Sequence, residues 1–374
     1  KSISSAGDVN GDGFDDLIVG SAKNFHNNGY SNYSYVIFGK ASGFDAVKSI
    51  PKLKLDGTNG FRLETVAEPV NSSWGGMVST AGDVNGDGFD DLIVSAPEFG
   101  SNKSFSSYVV FGKASGFEAS MNLSELNGSN GFRLDGSLWR SVSNAGDVNE
   151  DGFDDLIIAG LSSSYLVFGK ASGFDPIVNL SSLNGENGFQ LIGGGNFVSS
   201  AGDVNGDGID DVIIGAPYSN NFSGASYVVF GKASGFDATM NLSDLDGSNG
   251  FRLDGMNGEG SGDIVSNAGD VNGDGFDDLL IGGGDSLYGP SDSYVVFGKA
   301  SGFNAAMNLS SLDGENGFHL IDEGNFVSSA GDINGDGYDD VIVGDVFSEY
   351  YFNDGGYSGN FVTTYASYVV FGKA

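Results

Sequence analysis

Cysteine is absent from the 374 residues, which excludes a disulfide scaffold and a cysteine nucleophile. The redox compartment stays open, because cytosolic proteins and many secreted bacterial proteins alike lack disulfides. Proline is scarce at 6 residues while glycine reaches 63, a balance that suits strands and tight turns and reads poorly as helix. Histidine occurs twice, at His26 and His319 in different segments, so no acid/base pair or activated nucleophile assembles, and the chain reads as a non-enzyme. No apolar run approaches the length of a membrane-spanning helix. Nor is there a signal peptide, and Lys1 already lies inside a repeat. Positive charge is also short: 16 Lys and Arg face 50 Asp and Glu, for a formal net charge of −34. That balance argues against nucleic acid or an anionic membrane as partner.

The abundant acid is concentrated in one motif. Asp-Val-Asn-Gly-Asp-Gly-Phe-Asp-Asp runs from Asp8 to Asp16 and recurs, with few changes, from Asp83, Asp147, Asp203, Asp270 and Asp332. Side-chain oxygens fall at positions 1, 3, 5 and 9, with glycine at position 6. A hard cation such as Ca²⁺ takes six to eight oxygens, so alternate residues must turn inward while a glycine permits the sharp bend. The expected side-chain ligands are therefore Asp8, Asn10, Asp12 and Asp16; Asp83, Asn85, Asp87 and Asp91; Asp147, Asn149, Asp151 and Asp155. The second half of the chain supplies Asp203, Asn205, Asp207 and Asp211; Asp270, Asn272, Asp274 and Asp278; Asp332, Asn334, Asp336 and Asp340. Position 7 offers a backbone carbonyl, from Phe14, Phe89, Phe153, Ile209, Phe276 and Tyr338.

An EF-hand begins the same way, and position 12 excludes it. A bidentate Glu and a following helix are needed there, whereas this chain has Val19, Val94, Ile158, Ile214, Ile281 and Val343 inside short β-branched runs. The metal is thus expected in a loop between two strands, about six Ca²⁺ in all. Three Asp ligands per loop take up 18 of the 50 acidic residues, and six Ca²⁺ would bring the net charge to about −22. Such loops fill outside cells rather than at resting cytosolic calcium, so the expected setting is extracellular.

The loop starts are 75, 64, 56, 67 and 62 residues apart, which makes the whole chain a repeat array. Each repeat contains a small-residue segment A (Val198-Ser-Ser-Ala-Gly), the acidic loop, an apolar segment B (Val212-Ile-Ile-Gly), segment C (Ser226-Tyr-Val-Val-Phe-Gly) and segment D (Gly250-Phe-Arg-Leu). Four antiparallel strands per repeat is the unit of a propeller blade, and two hairpins per repeat argue against a parallel β-solenoid. The fold class expected is an all-β propeller of six four-stranded antiparallel blades, bounded near 1–63, 64–134, 135–191, 192–253, 254–320 and 321–374. Segment A, rich in Ser, Ala and Gly, is expected innermost, with B and C buried between neighbouring blades. Segment D occurs five times against six for the others, so the last blade lacks its outer strand within this chain: either a flanking segment outside the sequence completes it, or its edge is left open and able to pair with another chain.

The acidic loop, the strand ending Gly215-Ala216-Pro217 and the Phe-Gly turn together resemble the FG-GAP repeat of the integrin α-subunit N-terminal propeller. The longer strings Tyr-Val-Val-Phe-Gly-Lys-Ala-Ser-Gly-Phe and Gly-Phe-Arg-Leu-Asp-Gly are similar to secreted bacterial, including cyanobacterial, FG-GAP proteins. The resemblance implies one Ca²⁺ per loop, held by positions 1, 3, 5, 7 and 9, and partners bound on the face opposite the metals. Departures are six repeats where seven blades are common, Glu150 in place of glycine at loop position 4, and no Arg-Gly-Asp sequence or inserted helical domain.

The function expected is a calcium-binding adhesion or ligand-binding module, taking a protein or glycan on its variable B–C and D–A loops. Trp74, Trp139, Tyr218, Tyr288, Tyr350 and Tyr351 are the candidate contact residues there, since aromatics stack on sugars or anchor protein partners. The alternative is self-association through the open last blade into a filament or surface layer; a propeller enzyme is the third reading. His319 is expected to be a surface strand residue and Asp15 to be solvated or to lie behind the metal ligands.

Overall fold

The computed structural model describes residues 2–21, 33–43, 54–64, 77–97, 105–136, 138–160, 162–256, 258–283, 292–321, 326–352 and 359–373. The architecture is an all-β propeller of six blades. In the first blade the A to D segments become β1 (Ser2–Gly7), β2 (Asp16–Ser21), β3 (Tyr33–Ile37) and β4 (Gly60–Glu64). The second blade has β5 (Val78–Gly82), β6 (Asp91–Pro97) and β7 (Phe105–Val110), then a short β8 (Ser120–Asn122) before its D strand β9 (Gly131–Asp135). The third follows with β10 (Leu138–Gly146), β11 (Asp155–Gly160), β12 (Ser163–Val167), β13 (Ile177–Asn179) and β14 (Gly188–Ile192). The fourth has β15 (Phe197–Gly202), β16 (Asp211–Ala216), β17 (Ala225–Val229), β18 (Thr239–Asn241) and β19 (Gly250–Asp254). The fifth has β20 (Ile264–Gly269), β21 (Asp278–Gly282), β22 (Ser293–Val296), β23 (Ala306–Asn308) and β24 (Gly317–Leu320). The sixth stops at β25 (Phe326–Gly331), β26 (Asp340–Phe352) and β27 (Gly359–Val370).

Within the first five blades A, B, C and D pair antiparallel in chain order, and the sixth has A, B and C among the described residues. The sheets nonetheless exceed four strands. The short segments β8, β13, β18 and β23 each pair parallel with the D strand of the preceding repeat, as Arg62↔Ser120, Leu63↔Met121 and Glu64↔Asn122 show. Arg62 N–H donates to the carbonyl of Ala119 at 3.1 Å. Sequence periodicity could not reveal three-residue strands, because three residues carry no alternation. Their effect is to cover a D strand that would otherwise expose unpaired backbone groups, while tying each repeat to the next. A 3₁₀ turn follows each one; in the second repeat it is capped by Asn122, whose Oδ1 accepts the Ser124 N–H at 3.0 Å.

The chain divides into two compact units, Lys1–Val198 with Gly231–Asp244, and Ser199–Phe230 with Leu245–Ala374. In the first unit the core lies between blades rather than within one. Ile93, Val109, Phe132 and Leu134 of the second blade share a cluster with Val142, Leu156, Ile158 and Val167 of the third. In the second unit Leu280 and Val295 pack with Val327, Val341 and Val343 in the same way. This is why the B strands are apolar at successive positions: β11 is buried throughout. The A strands stay small and partly polar, and Ser141 Oγ donates to the Val198 carbonyl while accepting the Val198 N–H, joining β10 to the start of β15.

Candidate metal centre

Each acidic loop bridges A and B, entered through a bulge at the last residues of A. The side-chain oxygens turn back into their own loop. In the second loop Asp83 accepts the N–H groups of Asp87 and Gly88 at 3.0 and 2.8 Å, and Asp87 accepts that of Phe89 at 3.1 Å. The fourth loop repeats this with Asp203, Asn205 and Asp207, Asn205 Oδ1 accepting the Asp207 N–H at 3.0 Å. Positions 1, 3 and 5 thus share the loop interior, as alternation around a tight turn requires.

Position 9 is different. Asp91 is fully buried; its Oδ2 accepts the N–H of Val84 at 3.1 Å and its Oδ1 that of Gly112 at 2.8 Å. Asp155 binds Val148 and Gly169, and Asp278 binds Val271 and Gly298, in the same way. The carboxylate therefore pins the loop to the Phe-Gly turn that ends strand C. Burial is the main force on its proton: it raises Asp91 to about 9, Asp155 to about 8, Asp278 to about 7 and Asp16 to about 6, and the position 1 and 5 carboxylates push the same way. The backbone N–H donors oppose this shift and lose.

Among the described residues no three Asp, Glu, His or Cys side chains converge as a ready metal cluster. The donor set nonetheless fits a hard cation. Every side-chain donor is oxygen, positions 1, 3 and 5 turn into one loop, and the buried position 9 acid at Asp91 meets backbone donors but no cationic side chain among the described residues. A divalent ion would supply the positive charge that otherwise has to come from a proton.

The aspartate at position 8, expected at Asp15 to be solvated or to lie behind the metal ligands, is a latch between repeats in the loops that follow. Asp90 Oδ2 accepts the N–H of Asp8 in the preceding loop at 2.7 Å, and Asp154 does the same for Asp83 at 2.7 Å. In the second unit Asp277 and Asp339 take Asp203 and Asp270. The glycine before each receiving loop has to be glycine: a Cβ on Gly82 would lie 2.2 Å from Asp154 Oδ2. The backbone N–H of Lys113, in the Phe-Gly-Lys turn, donates to the carbonyl of Val9 in the preceding loop at 3.0 Å. Sequence reasoning missed these roles, although the strict recurrence of Asp at position 8, and of Val or Ile at position 2, was their signal.

The rest of the recurring string has packing reasons. Phe111, Phe132 and Phe174 form a triad, with Phe132 stacked on Phe174 at 4.7 Å and Phe111 inclined to both. The Lys170 ammonium lies 4.9 Å from the Phe174 ring centre and donates to the Gly173 carbonyl. Clefts run beside two of the Phe-Gly-Lys turns, at Lys170 and at Lys299; Asp151, Lys170, Phe174, Glu186 and Asn187 help line the first, of about 370 Å³.

Of the candidate ligand-face residues, Tyr218 is 64% exposed with its ring 6.2 Å from that of Phe222. Trp74 and Tyr288 lie outside the described residues. Trp139 falls in β10 and Tyr350 and Tyr351 in β26, where strand register is described but these side chains are not. His319 is not a plain surface residue. Its Nε2 lies 2.8 Å from Asp292 Oδ2 and its ring stacks at 4.6 Å on the buried Tyr294, whose hydroxyl donates to Glu259.

The model of the FG-GAP repeat family matches residues 2–37, 75–110 and 195–229, each match running from strand A through the acidic loop and B to strand C. The chain carries FG-GAP repeats. Its homologues include integrin α-subunits: it is 32% identical over 190 residues to integrin alpha-PS5 of Drosophila melanogaster, covering 48% of this chain and 18% of that protein. It is 30% identical over 227 residues to integrin alpha pat-2 of Caenorhabditis elegans, covering 52% of this chain and 18% of the relative. A longer but weaker similarity, 26% over 332 residues, links 77% of this FG-GAP chain to 33% of a phosphatidylinositol-glycan-specific phospholipase D of Dictyostelium discoideum. The chain thus spans less than a fifth of the integrin relatives' length. Among the described residues no helix is long and apolar enough to cross a membrane.

Proposed function

We propose that this FG-GAP propeller is a non-catalytic, extracellular module for adhesion or ligand binding, stabilised by Ca²⁺ in its A–B loops and recognising a protein or glycan through its divergent B–C and D–A connections. The homology to integrin α-subunits supports the adhesive class. Calcium is supported by the oxygen-only donor set and by the buried position 9 carboxylates. Positions 1, 3, 5 and 9 of each loop would hold the ion, neutralising acid that otherwise has to be protonated or has to repel.

One observation carries the choice of face. The acidic loops and the Phe-Gly turns are engaged in near-identical contacts between repeats, whereas Tyr218 and Phe222 on the B–C connection of the fourth blade stand exposed side by side. Two adjacent exposed rings suit a sugar face or an apolar anchor. Screening the calcium-loaded chain on glycan and protein arrays tests this reading: binding that drops at least tenfold in Tyr218→Ser supports it. Absence of any binder, with concentration-dependent mass in solution, transfers the function to self-assembly.

A further inference from the structure

The B–C connection of the fourth blade turns with the hand that L-residues avoid. Asn220, Asn221 and Phe222 follow one another at φ +52, +55 and +67, and elsewhere among the described residues Glu150 is the one non-glycine with positive φ. Asparagine tolerates that region, but phenylalanine does not favour it. Such a conformation persists only where the surrounding structure fixes it. Within the turn the Gly224 N–H donates to the Ser219 carbonyl at 3.1 Å and the Ser223 N–H to the Asn220 carbonyl at 3.3 Å.

The rest of the clamp comes from the D–A connection that follows in the same unit. Gly255, Gly260 and Ser261 donate their N–H groups to the carbonyls of Gly224, Phe222 and Ser223 at 3.2, 3.0 and 3.1 Å. Two glycines permit this approach, since a Cβ on Gly224 would run into the Ser261 carbonyl and one on Gly255 into the Ser223 carbonyl. Asn220 Nδ2 donates to Asp254 Oδ1 at 3.1 Å, and Arg252 Nε lies 2.8 Å from that oxygen, balancing its charge. What the clamp holds in place is a pair of rings. Tyr218 and Phe222 are 64% and 61% exposed and stand at 79° to each other with centres 6.2 Å apart, and the exposed Asn220 and Asn221 lie between them in the chain.

Both rings face solvent, so the strained backbone gains the core nothing; it fixes a surface in advance of a ligand. An aromatic face stacks on the apolar C–H face of a sugar ring, and an amide both donates to and accepts from hydroxyl groups. The turn from Tyr218 to Phe222 carries no charged side chain, and a net charge of −34 repels acidic glycans. Size decides against a protein: at this exposure the two rings offer on the order of 200–300 Å², against roughly 800 Å² per partner in a standard protein interface. Resting on the reading of the B–C and D–A connections as the recognition surface, we propose that Tyr218, Asn221 and Phe222 form a binding site for an uncharged pyranose unit of a glycan. One ring stacks on the sugar, the perpendicular ring borders it, and the Asn221 amide meets its hydroxyls.

The test titrates the whole chain in calcium-containing buffer with neutral gluco-, galacto- and manno-oligosaccharides, beside sulfated and uronic-acid oligosaccharides, read by saturation-transfer difference NMR. At least one neutral sugar should bind, with saturation strongest on the C–H protons of one ring face. Its affinity should fall at least tenfold in Tyr218→Ala and in Phe222→Ala and at least threefold in Asn221→Ala. Ile177→Ser, which removes a comparably exposed apolar side chain elsewhere, should leave it unchanged. Because both rings are exposed, the ring variants should keep the parent melting temperature, so a loss of binding belongs to the rings. Preference for sulfated or uronic-acid sugars, or neutral binding that survives both ring variants, overturns the proposal. So does a protein from the array that needs Tyr218 when no sugar binds. That outcome spares the wider reading of this face, whereas finding no Tyr218-dependent binder of either kind removes both.

Discussion

The smallest features of the loops set the terms on which successive repeats join. Asp154 has no place in the expected ligand set, yet its carboxylate is raised by burial and accepts a main-chain N–H from the preceding loop. Replacing it with Ala leaves that donor unsatisfied, so Asp154→Ala is expected to cost about 1–3 kcal/mol in urea unfolding. Glu150 occupies loop position 4 with φ +58, where the five other loops have glycine between +69 and +76. A side chain pays for the left-handed conformation, partly offset by the entropy glycine loses on folding. Glu150→Gly should therefore raise stability by up to about 1 kcal/mol in the same assay. Asp207→Ala removes a position 5 oxygen from the fourth loop alone, and calorimetric titration with Ca²⁺ should then show one site fewer. An unchanged stoichiometry would remove that loop from the metal reading.

At the level of the element, the A–B hairpin holds its position 9 acid protonated above the ordinary carboxylate range. The folded chain holds these carboxyl groups above their ordinary value, so without metal it binds protons that the unfolded chain has released. The stabilising protonated form is complete below about pH 4 and is lost as pH rises through about 6 to 9, so metal-free stability should fall across that window. Denaturant midpoints in chelator at pH 5 and pH 8 check the sign, and adding Ca²⁺ at pH 8 should abolish most of the difference. The Phe triads are the other repeating device: Phe132 is buried and stacked, and Phe132→Ala should cost about 3–5 kcal/mol in a denaturant melt. Segment D was legible from Gly-Phe-polar-Leu, but the parallel strands β8, β13, β18 and β23 were not. They are held by partners in the preceding repeat rather than by any pattern of their own.

For the whole molecule, a net charge of −34 sets an electrostatic load that six divalent ions would relieve in part. Chelation is accordingly expected to lower the melting temperature substantially, and a melt indifferent to chelator would count heavily against structural calcium. The sequence by itself determined the six-fold repeat, the all-β class and the propeller. Each follows from local composition: β-branched runs of strand length, glycine at turns and the spacing of one acidic motif. Tertiary structure alone decided what the recurring residues touch. Position 8 meets the N–H of the preceding loop, position 9 meets both its own loop and the Phe-Gly turn, and His319 meets Tyr294 and Asp292. A residue's spacing tells which way it turns along its own strand, but its partner lies on a different strand or repeat, and only the packed chain brings the two together.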